Sequence, residues 1–84
     1  MDIIFHKNFK KKFKKLPKNI QQKFYNCLEL LLINEFDKKL NNHSVQETFT
    51  DCRSINVARD YRALFKKESD SIIFMNIGTH SDLY

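Results

Sequence analysis

The sequence of 84 residues holds one glycine, one proline, two cysteines and no tryptophan. With Gly78 as its sole glycine, it has no Gly-rich loop to cradle a phosphate or a dinucleotide, and no nucleophile elbow. Cys27 and Cys52 stand 25 positions apart, in no zinc or redox spacing. No metal and no cofactor are therefore expected, and a reduced cytoplasmic setting is the simplest reading. Apolar runs stop at four residues, as in Leu30–Ile33. A membrane span needs about 20, so no membrane partner is expected. The first residues carry no apolar stretch of the signal-peptide kind. The scarcity of glycine and proline also argues against a disordered or collagen-like chain.

What is present is a small globular composition, 42% hydrophobic and 30% charged, with eight phenylalanines. This length suits one domain, residues 1–84, with a modest core built from large rings. The charge is uneven. Residues 1–23 hold eight lysines against one aspartate, whereas the remainder is slightly acidic. A positive field in one segment fits either a polyanionic partner or a solvated helix face. Lysine acts on phosphates as a point charge, so such a patch would position a nucleic acid and not read its sequence.

Periodicity divides the chain into a helical half and a strand half. Ile3-Ile4-Phe5 reads as a short first strand. Phe9, Phe13 and Leu16 follow at helical spacing among the lysines. Pro17 breaks that pattern, because the residue before a proline is pushed out of the helical region. A second helix is predicted from about Lys18 to Asn34, with Pro17 in its first turn and Ile20, Phe24, Leu28 and Leu31 or Leu32 as its buried stripe. The pair forms an αα-hairpin or one kinked helix. Residues 37–51 read as loop. Three strands follow, around Ile55 and Val57, over Tyr61–Phe65 and over Ile72–Ile77. Their short connections predict an antiparallel meander. The most apolar strand, Ile72–Ile77, belongs inside the sheet. The first strand is expected beside it. The predicted class is α+β, in the order β-α-α-β-β-β. Both helices pack on one face of a mostly antiparallel four-stranded sheet.

Polar residues of chemical interest gather in the C-terminal half. His80 follows the last strand beside Gly78, a position suited to work on a ligand or simply a surface histidine. Tyr84 could stack on a nucleobase or tuck under the sheet. Arg62 interrupts an apolar strand, so it either pairs with Asp60 or another acid, or faces an anion. His43 lies in the predicted loop. Cys27 reads as a small core residue.

Arg53-Ser54-Ile55-Asn56-Val57, Asp60-Tyr61-Arg62-Ala63-Leu64-Phe65 and Gly78-Thr79-His80-Ser81-Asp82-Leu83-Tyr84 together resemble the RelE/ParE superfamily of bacterial toxins. The closing Gly-Thr-His-Ser-x-Leu-Tyr resembles its YafQ-like branch. The likeness extends to the short first strand and the Lys-rich helical hairpin, and so covers nearly the whole chain. It implies a RelE-like fold and the toxin of a type II toxin–antitoxin system. Such a toxin is a ribosome-dependent endoribonuclease that cleaves translated mRNA and is neutralised by a cognate antitoxin. Operator DNA would be bound through the antitoxin complex.

Carried onto this sequence, the resemblance makes His80 the acid/base of the closing motif, most simply the acid. His43 becomes a second acid/base candidate. Arg62 would hold the scissile phosphate, and Asp60 would orient Arg62 or transfer a proton. Tyr61 and Tyr84 would stack on mRNA bases. Lys10, Lys11 and Lys14 on the first helix would dock on ribosomal RNA. Asn56 is a departure, standing where YafQ-like toxins can carry a histidine. Asn hydrogen-bonds but does not exchange a proton near neutrality, so activity could be lower or absent. Two other outcomes stay open. One is a ParE-like inhibitor of DNA gyrase, a binding module and no enzyme. The other is a degenerate toxin acting only in antitoxin and operator binding.

Overall fold

The computed structural model describes residues 1–45 and 50–83. Strand β1 (Asp2–Phe5) leads into helix α1 (Lys7–Phe13) and helix α2 (Lys18–Ile33). Strands β2 (His43–Ser44), β3 (Arg53–Ala58), β4 (Tyr61–Glu68) and β5 (Ser71–Thr79) follow, then a one-turn helix α3 (His80–Leu83). The strands form one sheet in the order β1-β5-β4-β3-β2. β1 runs parallel to β5, as expected for a strand returned by a helical crossover, and the other pairings are antiparallel.

The predicted α+β class holds, with one correction to the strand count. The sheet has five strands because His43 and Ser44 pair with Ser54 and Arg53. Two residues are too few to show an alternating pattern, so this edge strand reads as loop in the sequence.

Local chemistry explains the helix boundaries. His6 caps α1, its Nδ1 accepting the Asn8 N–H at 3.1 Å. Lys10, Lys11 and Lys12 fill the last turn, where the helix dipole favours cations. At the corner the Phe13 carbonyl accepts the Leu16 N–H at 3.1 Å, and both the Phe13 and the Leu16 carbonyls have room for a further donor. The Gln21 side-chain amide donates to both, at 3.0 and 3.1 Å, and so ties α1 to α2. Pro17 occupies the cap position of α2, one residue before the first turn.

The helices bury one face of the sheet. Phe9 and Phe24 from the helices meet Phe74 and Phe65 from β5 and β4, all essentially inaccessible. Phe24 lies 5.0 Å from Phe74 and 5.1 Å from Phe9 between ring centroids. Phe5 and Phe13 extend the cluster. Such ring pairs add about 0.5–1.5 kcal/mol each beyond the area they bury. Ile55 and Val57 of β3 and Ala63 of β4 point into this core. By alternation, the residues between them point to the other face of the sheet.

Candidate functional site

Register assembles that second face. Asn56 of β3 pairs with Arg62 of β4, and Arg62 pairs with Gly78 of β5. These three residues form a row across the sheet. The next row on the same face runs His43, Ser54, Leu64, Asn76. Four of the residues singled out in the sequence, His43, Asn56, Arg62 and Gly78, thus share one surface. They come from four different strands.

The tight β3–β4 turn brings in the remaining pieces. Arg59 turns with φ 42°, a left-handed conformation costly for a residue with a Cβ. A register shift between Asn56 and Ala58 adds a bulge beside it. The Asp60 carbonyl accepts the His80 N–H at 3.0 Å. This bond fastens the start of α3 to the turn and sets Asp60 next to exposed His80.

Among the described residues, Arg62 does not pair with a carboxylate. Its Nη1 donates to the carbonyls of Arg59 at 2.7 Å and Tyr61 at 3.0 Å. The expectation that the Asp60 carboxylate orients Arg62 is thus corrected: backbone oxygens of the hairpin do so. The strained turn presents those carbonyls, and the guanidinium folds back onto them.

His43 sits on edge strand β2 and not in a loop. Its Nδ1 lies 2.7 Å from the Asn41 carbonyl. A carbonyl only accepts, so Nδ1 carries the proton and the neutral ring offers Nε2 as its basic atom. Asn41 reaches this position through a positive φ of 47°, which asparagine tolerates well.

Among the described residues, Ser54 Oγ and Asn56 Oδ1 on this face are buried without a partner. Unsatisfied groups of this kind are rare in a packed core and cluster where a ligand is handled. Asn76, a polar residue in the most apolar strand, turns its Oδ1 to the Ile77 N–H at 3.0 Å. It was not singled out in the sequence, although its place in that strand was a signal.

The lysines divide. Lys10, Lys11 and Lys14 are exposed on and just after α1. Lys12 and Lys15 instead line a cleft of about 390 Å³ with Leu16, Ile77, Gly78 and Asp82. Sequence reasoning missed this pair, because all the lysines in the stretch look alike until α1 is docked. Tyr61 lies on the helix-covered face, half-buried against the core, and is not brought together with Arg62. Tyr84 lies outside the described residues. Among the described residues no cluster of His, Cys, Asp and Glu could hold a metal ion. Cys27 gives its thiol to the Asn56 carbonyl at 3.3 Å. Burial pushes the thiols of Cys27 and Cys52 up, away from the reactive thiolate. No helix in the described residues is long and apolar enough to cross a membrane.

The arrangement can grip an anion with a guanidinium, offer a basic imidazole nitrogen at one side and present a second imidazole at the other. Known proteins share the fold. A comparison with curated proteins finds no sequence match. In three dimensions the chain is similar to YafQ from Escherichia coli strain BL21(DE3). The TM-score is 0.83 at 23% identity, over 99% of this chain and 97% of that one. It is also similar to a RelB–RelE antitoxin–toxin complex from Methanococcus jannaschii. There the TM-score is 0.75 at 21% identity, over 96% and 94% of the two chains. An E. coli DinJ–YafQ complex matches at a TM-score of 0.69, with 23% identity over 99% and 97%. The sequence model for YafQ, a bacterial toxin of type II toxin–antitoxin systems, matches residues 1–84. The chain belongs to the YafQ family of type II toxin–antitoxin toxins.

Proposed function

We propose that this toxin is a ribosome-dependent endoribonuclease, cleaving translated mRNA through acid/base chemistry on the RNA's own 2′-hydroxyl. In that step the 2′-oxygen bonds to phosphorus as the bond from phosphorus to the 5′-oxygen breaks. A base takes the 2′ proton, and an acid delivers one to the departing 5′-oxygen. His80 serves as the acid, and acid/base groups of this kind contribute about 10²–10⁴ in rate. The Nε2 of His43 is the candidate base, with its tautomer held by the Asn41 carbonyl. Arg62 stands between their strands and holds the scissile phosphate. Its Nη1 is occupied by carbonyls, so the Nε and Nη2 hydrogens are the ones offered to phosphate oxygens.

Asn56 contributes a hydrogen bond to the RNA, which would satisfy its buried Oδ1 through a 2′-hydroxyl. Asp60 holds His80 through its carbonyl, and its carboxylate remains a proton-transfer candidate. Tyr84 stacks on a base. Tyr61 supports the hairpin from the core side. Lys10, Lys11 and Lys14 dock on ribosomal RNA, a contact that weakens steeply with salt. A cognate antitoxin neutralises the toxin in the cytoplasm, and operator DNA is met through that complex. The similar DinJ–YafQ and RelB–RelE chains were solved as such pairs.

The observation that carries the reading is the Asn56–Arg62–Gly78 row, flanked by His43 and closed by His80. The test is induction in a bacterial host, wild type beside His80→Ala, with mRNA 5′ ends mapped. Growth arrest with new in-frame ends, both lost in His80→Ala, is expected. Arrest without cleavage ends, with purified gyrase supercoiling blocked, would replace this reading with gyrase inhibition. No arrest at all would make Asn56 the mark of a degenerate toxin.

A further inference from the structure

A single helical turn does not hold itself in water, because nucleation costs more than one turn returns. α3 is four residues long, yet it carries His80. Its position is therefore set by what ties it down. Thr79 caps the turn: Asp82 N–H donates to Thr79 Oγ1 at 3.2 Å, and Thr79 N–H donates to Asp82 Oδ2 at 3.1 Å. This is a reciprocal capping box with aspartate in place of the usual Glu or Gln. Gly78 lets the box close. A Cβ built on Gly78 would stand 3.1 Å from Asp82 Cβ and 3.2 Å from Asp82 Oδ2, closer than ordinary contact. Gly78 has no positive φ, so its role is room and not backbone freedom. The His80 N–H bond to the Asp60 carbonyl clamps the front of the turn, and buried Leu83 seats its end.

We propose that Gly78, Thr79 and Asp82 form a positioning device that fixes His80 against the Asp60 turn for cleavage. The proposal rests on the nuclease reading given above. Asp82 touches no reacting group and acts through His80. Its carboxylate bridges the strand end and the third residue of the turn. Without that bridge, the turn that carries His80 loses the tie between the end of β5 and its own third residue. Catalytic groups tolerate little displacement, and a shift of about 1 Å can cost about 10²-fold.

The test uses the full chain in four variants: Asp82→Ala, Asp82→Asn, Gly78→Ala and His80→Ala. Two readouts are taken, amide hydrogen exchange by NMR and the kcat and KM of ribosome-bound mRNA cleavage. In Asp82→Ala, exchange at Thr79 and His80 should speed up, with β3 and β4 amides unchanged. Its kcat should fall about 10- to 100-fold at unchanged KM. Asp82→Asn keeps an oxygen acceptor for the Thr79 N–H and should recover most of both. Gly78→Ala should resemble Asp82→Ala.

Unchanged His80 exchange in Asp82→Ala overturns the proposal, whatever the cleavage result. So does a loosened His80 with wild-type kcat. If His80→Ala itself cleaves like wild type, the nuclease role of His80 fails, and with it the catalytic half of the proposal. Exchange then still decides whether Asp82 holds the turn.

Discussion

The two faces of the sheet are written in alternate residues of the same strands and follow opposite rules. On β4, Ala63 and Phe65 enter a core of closely stacked rings, while Arg62 and Leu64, which alternate with them, face the other way. On β3, Ile55 and Val57 are sealed under α2, while Ser54 and Asn56 keep buried oxygens without a partner among the described residues. The helix-covered face carries the contiguous apolar core. The second face holds orphan polar atoms, a strained Arg59 turn and a bulge. Strain and unmet polarity of this kind collect where a protein handles a ligand. The helix-covered face thus carries the core, and the second face of the same strands carries the candidate site.

Substitutions on the two faces should therefore separate stability from activity. The largest effect is expected at Phe24, which touches Phe5, Phe9, Phe13 and Phe74. Phe24→Ala should lose about 3–5 kcal/mol in a urea titration. That is a large part of the about 5–15 kcal/mol available to a domain, so activity would fall only because the protein unfolds. A loss below about 1 kcal/mol would mean that the ring cluster is not the source of stability.

Arg62→Gln should do the reverse. Cleavage should drop by about 10²–10³, the usual cost of removing a charge-stabilising donor. The urea midpoint should move by no more than about 1 kcal/mol, because the lost bonds are half-exposed ones to carbonyls. Unfolding with no separate loss of turnover would collapse the distinction between the faces.

The covered face was also the legible one. Phe9, Phe13 and Leu16 spell a helix stripe, and the strands around Ile55, Ala63 and Ile77 lie where periodicity puts them. A core depends on apolar spacing, and spacing is visible in a sequence. The second face depends on register, and register is not. That Asn56, Arg62 and Gly78 share a row follows from two turns and two bulges, one at Val57 and one at Met75. His43 looked like a loop residue because its strand is two residues long. Asp60 and Arg62 are two apart in sequence and invited a salt bridge. The turn instead spends the guanidinium on carbonyls. Among the lysines, only the docking of α1 distinguishes Lys12 and Lys15 from the rest.

Ser54→Ala probes whether the orphan oxygens belong to function. Ser54 is wholly buried and its hydroxyl has no partner among the described residues. Removing it should stabilise the protein by about 1 kcal/mol, the cost of an unsatisfied buried hydroxyl at the low end. RNA cleavage should fall if that hydroxyl is kept for substrate. A destabilised variant would show that the hydroxyl supports the second face itself.

The smallest effect is a pH dependence at α3. Asp82 has its carboxyl held below the ordinary aspartate range. The Thr79 backbone N–H is the main cause, then the Thr79 hydroxyl contact, with Lys12 helping by charge. The folded state therefore binds this proton less readily than the unfolded state does. A group of that kind contributes stability that is full above its unfolded value, near pH 4, and is lost as the pH falls through the folded value. Wild type should melt above Asp82→Asn at neutral pH, and the gap should close below about pH 4. Asp82 is fully exposed, so solvent screens the contribution and the gap should be small. A gap of constant size from neutral to acid pH would mean that the charge on Asp82 is not what holds the turn. The capping bonds alone would then account for it, and His80 would keep its position in acid.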